Sequence, residues 1–380
     1  MSFTETCQRI VRDPLLSPAQ KNRALALAAE NALPYPELPA AVQDAMAQGM
    51  LCDMFEGHAP YKPRYVLPDY EKFLTQGSAW LELAAPRDFD EALDALRILY
   101  HHVPSVTGMP VWLGRLDHLL LPFVGELDDE TLYRKLKRFW IYLDRVLPDA
   151  FMHVNIGPDD NRICRLILRI DNELKQVAPN LTFFHDPEQT PDDLLLLAVK
   201  NIAECSKPHI ANYPIHRDTF DQRGFGIVSC YNALPQAGGA NTLVRISLKR
   251  VAEQAQGIDD FLGCLLPHYC RLTSQLIAVR AAFLHEESGF FDSFLVKEGL
   301  LDEDRFVPMF GIYGMAEAVN LLMDKENLPE RYGRDEEANQ LGYRISAQLA
   351  RHVSETPQRH AWGGRALLHS QGGLSVDRGV

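Results

Sequence analysis

Apolar residues recur at helical spacing through much of this 380-residue chain. Between Asp128 and Val146, the residues Leu132, Leu136, Phe139, Leu143 and Val146 share one face, with basic residues between them. That spacing predicts an amphipathic helix. Leu93, Leu96, Leu99 and Tyr100 form a second stripe behind the capping pair Asp88 and Glu91. Ser17, Pro18 and Gln20 mark a helix start ahead of an Ala/Leu-rich run. Thr190-Pro191-Asp192-Asp193 reads as a capping box with proline at the first helical position, opening a helix to about Cys205. Further helices are expected near Leu113–Leu121, over Leu248–Ala255 and Asp260–Glu286, and over Arg334–Ser354. In the last of these Ala338, Leu341, Ile345, Leu349 and Val353 line one side.

Short strand-like runs interrupt this pattern at Leu181–Phe184, Lys207–Asn212, Ile227–Val228, Leu243–Ile246 and Phe310–Tyr313. From about residue 180 they alternate with helices, which predicts an α/β architecture around a central sheet. The proline- and aromatic-rich stretch Asp53–Tyr70 reads as extended, ordered chain. With no repeat or flexible linker, one domain is expected over 1–380. Its 1–175 part would be mainly helical and its 176–380 part would hold the core.

A net charge of −13 argues against a basic footprint for a nucleic-acid polymer or an anionic membrane surface. The first residues lack the apolar core of a signal peptide, and the longest aliphatic run, Leu194–Val199, is too short to span a bilayer. Seven cysteines at scattered positions fit no disulfide framework, which favours a reducing cytoplasm. No metal motif is convincing. Cys264 and His268 with Cys270 have no second pair, and His285-Glu286-Glu287 lacks the second histidine of a zinc-protease helix.

The stretch Gly224–Leu248 carries the most chemistry. Its Cys230, Asn232, Pro235, Gly238 and Gly239 lie between two apolar runs, with Val228, Tyr231 and Leu234 as apolar shoulders. This predicts a loop pushed inward between Val228 and Leu243, with a thiol near its tip. No basic residue adjoins Cys230, which leans away from an activated thiolate.

This arrangement resembles the cysteine finger loop of glycyl radical enzymes. The likeness extends to Phe306–Asn320, Pro179–Thr182, Thr190–Asp193, Lys207–Asn212 and Asp53–Tyr65, and the whole chain is most similar to the YjjI-type members, relatives of anaerobic ribonucleotide reductase and pyruvate formate-lyase. The resemblance implies an α/β barrel of two half-barrels surrounded by helices, with a helical N-terminal part, a truncated C-terminal portion and a finger loop over 224–248. It implies a thiyl radical at Cys230 that abstracts hydrogen from a small, hydroxylated substrate in anaerobic metabolism. No cofactor would be bound in the chain. The organic radical would be installed by a separate radical S-adenosylmethionine activase with an iron–sulfur cluster, and the enzyme would be a homodimer.

Glu317 is the second catalytic candidate, as the one charged residue in the run from Val307 to Met323. His209, Asn212, Asn320 and Arg64 are candidates for substrate binding, with His216 and His58 behind them. The family's radical glycine lies in an Arg-Val-x-Gly-Tyr-like loop, which the sequence to Val380 does not contain. A truncated polypeptide, a frameshifted gene and a split enzyme each account for that, and radical activity is not expected of these 380 residues alone. Two rival readings stand beside the radical enzyme. One is a transferase or hydrolase using Cys230 as a nucleophile, the other a catalytically inactive barrel or split subunit.

Overall fold

The structure is a computed structural model that describes residues 2–34, 36–53, 61–104, 112–145, 152–229 and 232–370. Its strands in chain order are β1 (Leu51–Asp53), β2 (Tyr65–Leu67), β3 (Trp112–Arg115), β4 (His153–Ile156), β5 (Asn180–His185) and β6 (His209–Asn212). They continue with β7 (Phe225–Val228), β8 (Asn232–Pro235), β9 (Gly238–Ser247), β10 (Phe306–Tyr313) and β11 (Leu367–Ser370). The chain forms two compact units. Unit 1 comprises residues 1–29, 65–239 and 291–305, and unit 2 comprises 30–64, 240–290 and 306–380. Both draw on residues from before and after position 175.

Unit 1 is built on a four-stranded sheet in the order β3-β4-β5-β6, parallel throughout. Its strands alternate in a way that explains their mixed polarity. Leu181 and Phe183 of β5 and Val154 and Ile156 of β4 are fully buried. The helices Asp129–Arg145, Arg162–Leu174 and Asp192–Cys205 supply the crossovers that parallel strands require. Between these helices and the sheet lies a buried ion pair, Lys207 Nζ to Asp171 Oδ1 at 2.8 Å. The Asp171 carboxylate also accepts from Trp140 Nε1 and Asn201 Nδ2, so it enters the core with its lone pairs occupied.

Several sequence expectations are met. Asp88 accepts from Glu91 N and caps the helix Phe89–Tyr100, and Ser17 and Gln20 form the reciprocal box at the start of Pro18–Glu30. Others are corrected. The expected helix near Leu113–Leu121 begins as a strand, β3, and turns helical only at Leu116. The Thr190 capping box does not form. The Thr190 hydroxyl donates to Pro158 O and accepts from Asp186 N, and the helix starts at Asp192 without a side-chain cap. Strand β4 and the helix Arg162–Leu174 carry no expectation from the sequence. Four residues reading His-Val-Asn-Ile are too short and too polar to stand out.

The finger region is also rearranged. Strands β7 and β8 pair antiparallel, Phe225 with Pro235 through Val228 with Asn232, and β9 begins at Gly238 rather than near Leu243. The expected 228–243 loop is thus a short hairpin with only residues 229–231 linking its strands. Cys230 and Tyr231 lie outside the described residues.

Unit 2 contains strands in the order β1-β9-β10-β11, with β1 antiparallel to β9 and β10 parallel to β11. Val244 and Ile246 of β9 and Phe310 and Ile312 of β10 pack into a core with Leu276, Ile277, Val319, Leu322, Ile345 and Leu349. Those partners come from the helices Leu266–Ala282, Met315–Lys325 and Glu336–Glu355. The strand Phe306–Tyr313 feeds the helix Met315–Lys325 through Gly314, whose φ of +78° makes the sharp turn. Among the described residues no helix is long and apolar enough to cross a membrane.

Candidate functional site

The β7–β8 hairpin is held in unit 1 by polar side chains from separate parts of the chain. It is fastened at three levels. At its base the Arg305 guanidinium donates to both Asp221 carboxylate oxygens, at 2.5 and 2.9 Å, to Gln236 O at 2.6 Å and to Gly224 O at 3.3 Å. The side chain of Arg305 is only 4% exposed, so the fork closes the hairpin base from a buried position. The same guanidinium holds the Asp221 carboxyl below its usual range.

At mid-height the carboxamide of Asn155 takes the place of a neighbouring strand. Its Oδ1 accepts from Ile227 N at 2.9 Å and from Trp112 Nε1 at 2.7 Å, and its Nδ2 donates to Ile227 O at 2.9 Å. Two donors converge on one amide atom and an acceptor meets the other, which fixes the amide's orientation. Without Asn155 the outer edge of β7 would bury an unpaired N–H and C=O. Trp112 presses on the same strand: a Cβ built on Gly226 would lie 2.4 Å from the indole. Near the tip, Asn180 Nδ2 donates to Ser229 O at 3.0 Å. Ser229 itself has φ +59°, an uncommon left-handed conformation for a residue with a side chain.

The sheet face that receives the hairpin follows from the register. His153 pairs laterally with Asn180, Asn155 with Thr182, and Thr182 with His209. Neighbours across a parallel sheet point to the same side, so His153, Asn155, Asn180, Thr182 and His209 share one face. None carries a fixed charge. His153 is buried, and desolvation followed by the nearby His209 lowers its pKa to about 3, so its imidazole is neutral. His209 is lowered in the same direction, by desolvation first and the charge of Lys207 second. Sequence reasoning named His209 but missed His153, Asn155, Asn180 and Thr182. The available signal was polar residues at alternate positions of short apolar runs.

The other candidates fall as follows. Asn212 is exposed, and its Oδ1 caps the helix Tyr213–Thr219 by accepting from Ile215 N. His216 lies with its ring 5.4 Å from Phe225 at the hairpin base, its pKa lowered by burial. In unit 2, Arg64 is 1% exposed and its backbone N donates to Asn241 O. Asn241 in turn donates to His360 O and bonds His285 Nε2. Arg245 of β9 lies over the Tyr313 ring, whose hydroxyl is 3.1 Å from Cys52 Sγ. Asn320 accepts from Tyr332 N and so braces the segment after its own helix. Glu317 is exposed in the first turn of that helix, where free N–H groups favour a carboxylate. His58 lies outside the described residues.

The chemistry of the described thiols is uniform where it is perturbed. Burial pushes Cys164 and Cys205 up and Cys270 to about 12, which leaves them protonated at neutral pH. Among the described residues no group of three or more histidine, cysteine or acidic side chains is placed to hold a metal ion.

Comparison with known proteins places this arrangement. The sequence model of the family described as glycyl radical enzyme YjjI-like matches residues 16–380. The chain belongs to that family of glycyl radical enzymes. It is 61% identical to the uncharacterized protein YjjI of Escherichia coli over 380 residues, which is 100% of this chain and 74% of that protein. An uncharacterized protein of Haemophilus influenzae is 42% identical over 329 residues, covering 86% of this chain and 63% of that protein. Among solved structures, the anaerobic ribonucleotide reductase from Thermotoga maritima with citrate in the active site aligns with TM-score 0.67. That alignment has 12% identity and covers 99% of this chain and 73% of the other. The same enzyme in complex with dATP and CTP gives 0.66 and 12%, over 97% and 66%. The fold is therefore the mixed α/β fold of glycyl radical enzymes.

Proposed function

We propose that this chain carries the thiyl-radical site of a glycyl radical enzyme, with Cys230 as the radical cysteine and a small hydroxylated molecule as substrate. The observation that carries the reading is the hairpin fastened to a polar, uncharged sheet face, with Cys230 in the short link between Ser229 and Asn232. A thiyl radical takes one hydrogen atom from a carbon bearing a hydroxyl. The C–H bond breaks homolytically, an S–H bond forms, and the unpaired electron passes to carbon. No proton or electron pair is left over. Uncharged groups around the hairpin suit this chemistry, since none of them draws the thiol toward a thiolate.

The radical would come from a separate radical S-adenosylmethionine activase, and the chain would bind no cofactor of its own. Glu317 would accept a substrate hydrogen bond or proton, with His209, Asn212, Asn320 and Arg64 as binding groups. A ribonucleotide is the specific substrate to try first, given the fold shared with a reductase bound to dATP and CTP. A reducing cytoplasm is the compartment and a homodimer the assembly to expect.

The test is anaerobic activation of the full-length protein with a matching activase and S-adenosylmethionine, followed by electron paramagnetic resonance and turnover of deuterated candidate substrates. Cys230→Ala should retain the glycyl signal and lose label transfer. Turnover that survives Cys230→Ala overturns the reading. Turnover without any radical signal, blocked by thiol alkylation, would favour the nucleophile instead.

A further inference from the structure

We propose that Asn155, seconded by Asn180, is a positioning residue that fixes strand β7 on the sheet at Ile227 and Ser229 and thereby sets the rate of hydrogen-atom transfer at Cys230. The inference rests on the radical reading above but adds an element to it. Asn155 is fully buried, and its carboxamide makes three bonds: it accepts from Trp112 Nε1 and Ile227 N and donates to Ile227 O. Ile227 is three residues before Cys230, and Ser229, the residue held by Asn180, is its immediate neighbour.

The hairpin's own pairing cannot do this. Four pairs of residues join β7 to β8, and they fix the two strands to each other but not to the sheet beneath. A two-stranded ribbon by itself is marginal and free to slide or twist. Slippage of β7 along β4 is opposed by the two-way bond between Asn155 and the Ile227 peptide, because both its donor and its acceptor are matched at one register only. Ring packing of Phe225 against Phe184, with centroids 5.2 Å apart, holds the ribbon down but offers no donor and acceptor that must match at one register. Hydrogen-atom transfer is steeply sensitive to this placement, since a displacement of about 1 Å can cost about 100-fold in rate.

The step affected is balanced within the protein. The glycyl Cα radical takes a hydrogen atom from the Cys230 thiol, giving a closed-shell glycine and a thiyl radical, and the reverse step restores the pair. In D2O the thiol carries deuterium, so each round trip can replace the remaining glycyl hydrogen and collapse the glycyl doublet to a singlet. The collapse rate reads the transfer geometry without any substrate.

The experiment measures that rate in the activated full-length protein for the wild type and for Asn155→Ala, Asn155→Asp, Asn180→Ala and Cys230→Ala. Asn155→Ala is expected to accumulate the same glycyl radical but to exchange it about 10- to 100-fold more slowly. Asn155→Asp keeps both acceptor contacts but turns a carboxylate oxygen toward Ile227 O, and should slow exchange at least as much as Asn155→Ala. Asn180→Ala loses one bond from a half-buried position, should fold normally, and should slow exchange severalfold. If Asn155→Ala fails to fold, Asn180→Ala decides the question. Folded variants that exchange at the wild-type rate overturn the positioning role. A loss of radical yield in step with melting temperature, with the exchange rate unchanged, would assign these residues to stability alone and equally overturn it. Exchange at the wild-type rate in Cys230→Ala is a different result: it removes the radical reading itself.

Discussion

Gly226 lies so close to Trp112 that a β-carbon on the glycine would meet the indole at 2.4, 2.5 and 2.8 Å, on Cε2, Cζ2 and Nε1. Trp112 is 1% exposed and is tied to Asn155, so it has no room to withdraw. Gly226→Ala should therefore cost about 1–3 kcal/mol, the usual range for overpacking. Thermal melting checks this. The double variant with Trp112→Phe should lose less than the sum of the two single losses, because the smaller ring makes room for the methyl group. Strict additivity would mean that the two residues do not press on each other.

Arg305 should be irreplaceable by lysine at the hairpin base. The four bonds it makes to Asp221, Gln236 and Gly224 need a planar fork, which an ammonium group cannot provide. Arg305→Lys is expected to cost about 1–3 kcal/mol and to speed amide hydrogen exchange across Phe225–Pro235. Unchanged protection there would show that the hairpin base is held by something else.

Lys207 and Asp171 make a buried pair whose halves depend on each other, with side-chain exposures of 9% and 0%. Lys207→Met leaves the Asp171 carboxylate in the core with no countercharge and should cost about 3–5 kcal/mol. Adding Asp171→Asn removes the stranded charge and should recover part of that loss. If the double variant is no more stable than Lys207→Met, the carboxylate is not the cause.

His153 makes stability depend on pH. Its folded pKa is about 3, below the unfolded value near 6.5, so the unfolded chain binds more protons between those limits. Stability from the buried neutral ring is complete above about pH 6.5 and is lost as pH falls toward 3. The upper bound for this group is about 5 kcal/mol. Melting curves between pH 7 and 4 should be flatter for His153→Gln than for the wild type, and parallel curves would refute the assignment.

Glu317 is exposed, so Glu317→Gln should leave the melting temperature within the scatter of surface substitutions, about 0.5 kcal/mol. If the carboxylate acts on substrate, kcat in the activated protein should fall by about 10²-fold or more. An unchanged kcat removes Glu317 from the catalytic residues while leaving the fold and Cys230 untouched.

Much of the architecture is legible from local pattern. The caps at Ser17 and Asp88 and the stripe from Leu132 to Leu143 are written in side chains within a few residues of one another. Helices and caps are short-range objects, so a one-dimensional reading reaches them. The family resemblance was likewise visible in consecutive residues.

What only the tertiary structure decided is the set of partners that those residues meet. Thr190 looks like a cap, yet its hydroxyl bonds Pro158 O, 32 residues away. Asn155 reads as an unremarkable polar residue in an undetected strand, yet it grips Ile227, 72 residues further on. The hairpin's fastenings come from positions 112, 155, 180 and 305, which no local window contains. Helix-forming periodicity is paid out along the chain, whereas a buried carboxamide is satisfied only by whatever backbone the fold brings to it. Sequence alone thus determines the long amphipathic helices and the caps at Ser17 and Asp88, and packing determines which polar side chains hold the hairpin in place.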